Sequence, residues 1–162
     1  MATCFVIQPF DRGKFDARYK ETFKPAIQAA GFEPYRVDED FSVEVPIDDI
    51  EKGIKEATVC FAEVSINNPN VWYELAYARA LKRPMVMVCE RDARPNLPFD
   101  IQNRMIIYYD PETASGFESV KGGITARLQA ITERLARDKE QVLEAARWAA
   151  EQRPPAFPRT YR

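Results

Sequence analysis

Five short apolar segments, each bounded by turn-forming residues, alternate along this chain with segments of helical periodicity. A strand that is apolar along its whole length is buried on both faces, and strands joined by helical crossovers run parallel. The alternation therefore predicts a three-layer α/β fold in which one mainly parallel sheet is covered by helices. The five predicted strands cover residues 4–8, 33–37, 58–63, 85–89 and 105–109.

Four stretches of helical periodicity separate or follow these strands. The pattern over residues 71–82 has the clearest limits, because an Asn-Pro-Asn turn precedes it and Pro84 follows it. The pattern over residues 16–30 ends at Gly31, which suits the left-handed cap of a helix. The other predicted helices cover residues 47–57 and 117–152, and residues 91–103 are predicted to form a loop.

The length of 162 residues fits one α/β domain, which we place at residues 1–140. The last helical pattern is longer than closing a five-stranded sheet requires, and it carries Trp148 and many alanines near its end. We interpret residues 141–162 as a helical extension followed by an irregular tail. This extension would pack either on the domain or on a second subunit.

The composition excludes several classes of function. With 23 basic and 25 acidic residues and no histidine, the chain gives little support for bulk nucleic-acid binding. It also lacks the usual ligands of a zinc site and the usual base of a histidine triad, so we expect neither a metal nor a cofactor. The sequence has no signal-peptide pattern and no apolar stretch near the ~20 residues that span a bilayer. We therefore expect a cytoplasmic protein with no membrane partner, in which Cys4, Cys60 and Cys89 are buried free thiols.

Glu74 interrupts the apolar face of the helix predicted over residues 71–82. Val71, Glu74, Leu75 and Ala78 follow the spacing of one helical face, which is expected to lie against the sheet. A carboxylate at such a position is costly to bury without a partner or a function. We expect the nearby helix N-terminus to favour its ionised form, which a nucleophile needs. The alternative is a carboxylate that merely accepts amide hydrogen bonds near the first turn.

Other polar residues follow the first three predicted strands, where ligands of open α/β sheets bind. Glu63 ends the third strand, where it would hydrogen-bond ligand hydroxyls or share a proton with Glu74; the alternative is a solvated strand end. Asn68 and Asn70 flank a proline, so turn and cap roles compete with ligand contacts. Asp38 follows the second strand and would contact ribose hydroxyls or lie in a solvated loop.

The loop after the first strand carries two cations just before a predicted helix. Arg12, Gly13 and Lys14 combine flexible amides, positive charge and a helix N-terminus, a combination that suits a phosphate. The loop matches neither the dinucleotide fingerprint nor the P-loop, and a solvated turn is the other interpretation.

The sequence from about Cys4 to Cys89 resembles the nucleoside 2-deoxyribosyltransferase superfamily, which includes deoxynucleoside 5′-monophosphate N-glycosidases. The pieces that carry the resemblance are Ala-Glu-Val-Ser around Glu63 and Tyr-Glu-Leu around Glu74. The segment Asn-Pro-Asn-Val-Trp-Tyr-Glu-Leu, residues 68–75, is also similar to TIR-like proteins, and NAD-cleaving TIR domains carry a catalytic glutamate on an equivalent helix. The resemblance implies a flavodoxin-like sheet, cleavage of an N-glycosidic bond, and Glu74 as the nucleophile.

The implied activity is that of an N-glycosidase or N-deoxyribosyltransferase acting on a deoxynucleoside monophosphate or NAD. Related enzymes are commonly oligomeric, so we expect a homodimer or larger assembly. The alternative from another class is a non-catalytic, nucleotide-sensing assembly module. The predicted catalytic residues are Glu74, Glu63 and Asp49, and the predicted substrate-binding residues are Gln8, Phe10, Arg12, Gly13, Lys14, Asp38, Asn68, Asn70 and Trp72.

Overall fold

The sheet of the protein has five parallel strands in the order β2-β1-β3-β4-β5. The computed structural model describes residues 2–40, 42, 46–96 and 105–152. The predicted parallel α/β sheet is confirmed, and its strand order is that of flavodoxin-like folds. The strands are β1 (Ala2–Ile7), β2 (Phe32–Tyr35), β3 (Val59–Glu63), β4 (Met85–Glu90) and β5 (Ile106–Tyr109).

The helix predicted over residues 16–30 is divided into three consecutive segments. These are α1 (Lys14–Arg18), a π-helical segment (Tyr19–Phe23) and α2 (Lys24–Ala29). Pro25 has no N–H to donate to the carbonyl four residues earlier, which accounts for the departure from α-helical bonding next to it. Gly31 has φ +87°, as its predicted role in ending the helix requires.

The other helices lie close to their predicted positions. They are α3 (Pro46–Glu56), α4 (Pro69–Ala80) and α5 (Ala114–Glu151). Short 3-10 segments cover Val37–Glu39 and Arg91–Asn96. The rest of the loop predicted over residues 91–103, and the tail predicted over residues 153–162, lie outside the described residues.

The two faces of the sheet carry different cores. On one face, Phe5 and Ile7 of β1 pack in a cluster with Ile54 of α3 and Leu75 of α4. On the other face, the ring of Phe23 lies 5.1 Å from that of Phe61 and 6.0 Å from that of Tyr109. This arrangement is the predicted three-layer fold, with packed helices on both faces of the sheet.

The chain divides into two compact units, Met1–Gln129 and Ala130–Arg162. The described part of the second unit is helical, and Val142, Leu143 and Trp148 are exposed on it. The domain boundary that we placed at residue 140 stays a prediction. Among the described residues, no helix is both long and apolar enough to cross a membrane.

Candidate functional site

A cleft of about 320 Å³ opens beyond the carboxyl ends of β1 and β3. These neighbouring strands are the point at which the strand order of the sheet reverses, and open α/β sheets bind ligands there. One wall comes from the start of α3, and the other comes from the loop after β1 and the start of α4. The lining residues are Gln8, Phe10, Pro46, Ile47, Ile50, Asn68, Asn70, Tyr73 and Glu74.

Glu74 lies on the cleft wall and is only 5% exposed. It shares the buried face of α4 with Val71, Leu75 and Ala78, as its spacing predicts. Within the part of the chain that the structure describes, no hydrogen bond or ion pair holds its carboxylate. Burial raises the pKa of Glu74 to about 7. The expected stabilisation of the ionised form by the helix N-terminus is therefore outweighed by the loss of water.

The first-turn amides of α4 are satisfied by another side chain. Asn68 caps the helix, and its Oδ1 accepts from the backbone N–H groups of Asn70 at 2.9 Å and Val71 at 3.2 Å. Glu74 lies in the second turn, beyond these amides. The alternative that Glu74 merely accepts amide hydrogen bonds at the helix start has no support in this geometry.

Gln8 contributes a buried polar group to the same cleft. Its Nε2 donates to the carbonyl of Phe15 at 3.4 Å, whereas its Oε1 is buried with no partner among the described residues. A buried acceptor without a partner costs free energy that a bound hydroxyl or amide donor would recover. The cleft lining therefore contains a buried carboxylate and a residue whose side-chain carbonyl has no partner among the described residues.

Glu63 is buried at the end of β3, so it is not a solvated strand end. Its Oε1 accepts from the hydroxyl and, at 3.2 Å, from the backbone N–H of Ser65, and its Oε2 has no partner among the described groups. Burial raises the pKa of Glu63 to about 7. Ser65 Oγ also accepts from the backbone N–H of Glu90 at 2.7 Å, which links β3 to β4. In the described part of the chain, no hydrogen bond joins Glu63 to Glu74.

The loop predicted to bind phosphate is occupied by carboxylates of the chain itself. Asp11 accepts from the backbone N–H groups of Gly13 at 2.9 Å, Phe15 at 3.3 Å and Asp16 at 3.4 Å. Lys14 is paired with Glu90 at 3.1 Å. A phosphate at this helix N-terminus would therefore have to displace Asp11.

The predicted site residues fall into two groups. Five of them line the cleft, namely Gln8, Phe10, Asn68, Asn70 and Glu74. The others lie outside its described lining: Glu63, Asp49, Arg12, Gly13, Lys14, Asp38 and Trp72. Several of these have partners within the chain, since Asp38 binds Arg36 and the Trp72 indole N–H donates to Asn67 at 2.7 Å.

Sequence reasoning missed the wall formed by Pro46, Ile47 and Ile50 of α3. Ile47, Ile50 and Ile54 lie on one stripe of this helix. Ile54 is buried in the core, whereas Ile47 is exposed at the start of the helix and lines the cleft. The signal that distinguishes a cleft residue from a core residue on this stripe is its place along the helix. The start of α3 lies just beyond the carboxyl ends of the strands, where the cleft opens.

The fold and the cleft together define a parallel α/β domain with an acidic site at the reversal of strand order. No family model matches the sequence. No curated protein matches it either. Among solved structures 33 chains match, and one of them is the CMP N-glycosidase BcmB of Clostridium botulinum. It is 15% identical and aligns over 67% of this chain and 89% of its own, with a TM-score of 0.46. A likeness at this level does not define the family or the substrate of the chain.

Proposed function

We propose that this protein cleaves the N-glycosidic bond of a nucleoside or nucleotide, with Glu74 as the nucleophile. The observation that carries the proposal is a buried carboxylate, without a partner among the described residues, on the wall of a ligand-sized cleft. Titratable groups whose pKa is strongly perturbed in a cleft are typical of catalytic sites. A carboxylate with few hydrogen bonds is also a stronger nucleophile than a solvated one.

The proposed reaction resembles that of a retaining glycosidase. A carboxylate oxygen of Glu74 forms a bond to C1′ of the sugar while the bond from C1′ to the base nitrogen breaks. The electron pair of the broken bond leaves with the base, which takes up a proton. Water, or a second base in a transferase, then attacks C1′ and loses a proton, which balances the proton taken up by the first base. The bond from C1′ to the Glu74 oxygen breaks, and its electron pair restores the carboxylate.

The other cleft residues suit the remaining parts of such a substrate. Asn68, Asn70 and the unpartnered carbonyl of Gln8 would bind sugar hydroxyls, and the rings of Phe10 and Tyr73 would contact the base. Glu63 and Asp49 remain proposals for a proton-handling or sugar-orienting acid. Arg12, Gly13 and Lys14 remain proposals for a phosphate contact, which would require the loop to exchange its internal carboxylates for the ligand.

The test is to incubate the protein with a panel of ribonucleosides, deoxynucleosides, their monophosphates including CMP, and NAD, and to measure released base by chromatography. Glu74→Gln is expected to lower base release by more than about a thousandfold, because it removes the attacking group. Glu118→Gln is the matched control, since that side chain is 76% exposed on α5.

Two outcomes would contradict the proposal. If Glu74→Gln releases base at a rate near that of the wild type, the nucleophile is another group. If calorimetry detects binding of a panel member but no base is released, the protein is a nucleotide-sensing module.

A further inference from the structure

Arg36 is a buried arginine directly after β2, at the same edge of the sheet as the cleft, and it is 2% exposed. Two carboxylates hold its guanidinium. Its Nε donates to Asp38 Oδ1 at 2.8 Å, and its Nη2 donates to Asp16 Oδ1 at 3.0 Å and to the second oxygen of Asp38. These bonds fix the plane of the guanidinium between the end of β2 and helix α1.

The same guanidinium contacts two aromatic rings. Its Cζ lies 4.5 Å from the ring centre of Tyr19, which is fully buried, and 5.1 Å from the ring centre of Phe10. Phe10 differs from Tyr19 because it is 47% exposed and lines the cleft that contains Glu74. Arg36 thus connects a fixed ring of the core to an exposed ring of the cleft wall.

We propose that Arg36, held by Asp16 and Asp38, is a positioning residue that fixes the ring of Phe10 as one wall of the cleft. An exposed aromatic side chain on a loop has several rotamers available, and holding one of them requires a partner. A planar guanidinium that is itself fixed by carboxylates is such a partner, because it attracts the ring face. The kinetic consequence of this role rests on the proposed function, whereas the position of the ring does not.

The chemistry of the cluster supports a positioning role over simple packing. Burying the guanidinium of Arg36 has a desolvation cost that an apolar side chain of similar size would avoid. Lysine would keep the charge but could offer neither the planar surface nor the two-pronged bond to Asp38. A planar, fixed cation is therefore the property that distinguishes Arg36 from residues that would only fill this space.

The kinetic test compares Arg36→Met, Phe10→Leu and the double variant in base-release assays. If Arg36 acts through the ring, each single variant raises KM about tenfold and leaves kcat within about threefold. The double variant should then have a KM within about twofold of that of Phe10→Leu alone, because the two residues form one interaction. Additive effects on KM would overturn the proposal.

Two further variants distinguish an effect on the position of the Phe10 ring from an effect on folding. Arg36→Lys keeps a positive charge beside Asp16 and Asp38, so it should melt closer to the wild type than Arg36→Met and yet share its raised KM. Arg83→Met removes an arginine that donates to the backbone carbonyls of Ala57 and Lys55 and is the matched control. An equal rise of KM in Arg83→Met would show that loss of any partly buried arginine produces the effect.

A second measurement needs no substrate. With para-fluorophenylalanine in place of Phe10, the fluorine NMR resonance should shift in Arg36→Met and in Arg36→Lys but not in Arg83→Met. An unchanged resonance in both Arg36 variants would overturn the proposal. If the resonance responds while no member of the substrate panel is cleaved, the positioning role stands and the proposed function fails.

Discussion

Replacing Glu74 by glutamine should make the folded protein more stable at high pH. The pKa of Glu74 is raised by burial from the ordinary value of 4.5 to about 7. Ionising this carboxyl is therefore about 3 kcal/mol less favourable in the folded protein than in the unfolded chain. Glutamine has nearly the same shape and cannot ionise, so the variant is free of this cost.

The sign of the effect follows from proton binding. Between pH 4.5 and about 7 the folded protein holds a proton at Glu74 that the unfolded chain has lost, so rising pH favours unfolding. The stabilising contribution of this group is complete below pH 4.5 and is lost as the pH rises through about 7. Above that range the free energy of unfolding of the wild type is lowered by the full cost of ionising the buried Glu74 carboxyl.

The assay is urea unfolding of the wild type and Glu74→Gln, followed by circular dichroism at about pH 5 and about pH 8.5. The stability of the variant relative to the wild type should improve by about 2–3 kcal/mol from the lower to the higher pH. Other titrating groups contribute equally to both proteins and cancel in this comparison. Glu118→Gln, on an exposed side chain, should show no such change.

A relative stability that does not change with pH would refute this reasoning. It would mean that the folded protein solvates the Glu74 carboxylate as well as water does. The result is independent of catalysis, so it tests the electrostatics of the site even if no substrate is found.

Three further predictions concern the activity, the Glu63 cluster and the assembly. The value of kcat/KM for base release should fall as the pH drops through about 7, because protonation of Glu74 removes the nucleophile. A flat profile from about pH 5 to 8 would contradict this prediction. Ser65→Ala should lower the free energy of unfolding by about 1–3 kcal/mol in urea titrations, because the backbone N–H of Glu90 and Oε1 of Glu63 each lose a hydrogen-bond partner. An unchanged unfolding midpoint would show that both groups form other hydrogen bonds in the variant. Sedimentation at micromolar concentration should give at least twice the chain mass of 18.6 kDa, because three large apolar side chains are exposed on the last helix, namely Val142, Leu143 and Trp148. A mass equal to that of one chain would reject the predicted assembly.

Much of the fold could be predicted because its signals are local. An apolar strand buried on both faces and a helix with an Asn-Pro start have residue patterns that do not depend on distant contacts. The break of the first predicted helix into three segments lies beside Pro25, which is also a local signal. The cleft position of Glu74 followed from one charged residue on an otherwise apolar helix face.

The electrostatic partners of the loop after β1 could not be predicted in the same way. Lys14 pairs with Glu90, which lies 76 residues further along the chain. Asp11 and Glu90 look like any other surface carboxylates in the sequence, and only the folded chain places them against Gly13 and Lys14. The sequence of the loop therefore does not show that carboxylates of the chain itself bind Gly13 and Lys14.

The three buried cysteines allow local opening at the centre of the sheet to be measured by thiol labelling. Cys4, Cys60 and Cys89 are free thiols on β1, β3 and β4, which are adjacent strands, and all three are fully buried. Burial also raises the pKa of Cys60 to about 12, so little reactive thiolate exists in the folded protein. A thiol reagent can label them only when these strands separate from their covering layers. The labelling rate under native conditions would therefore measure the free energy of that opening without any denaturant.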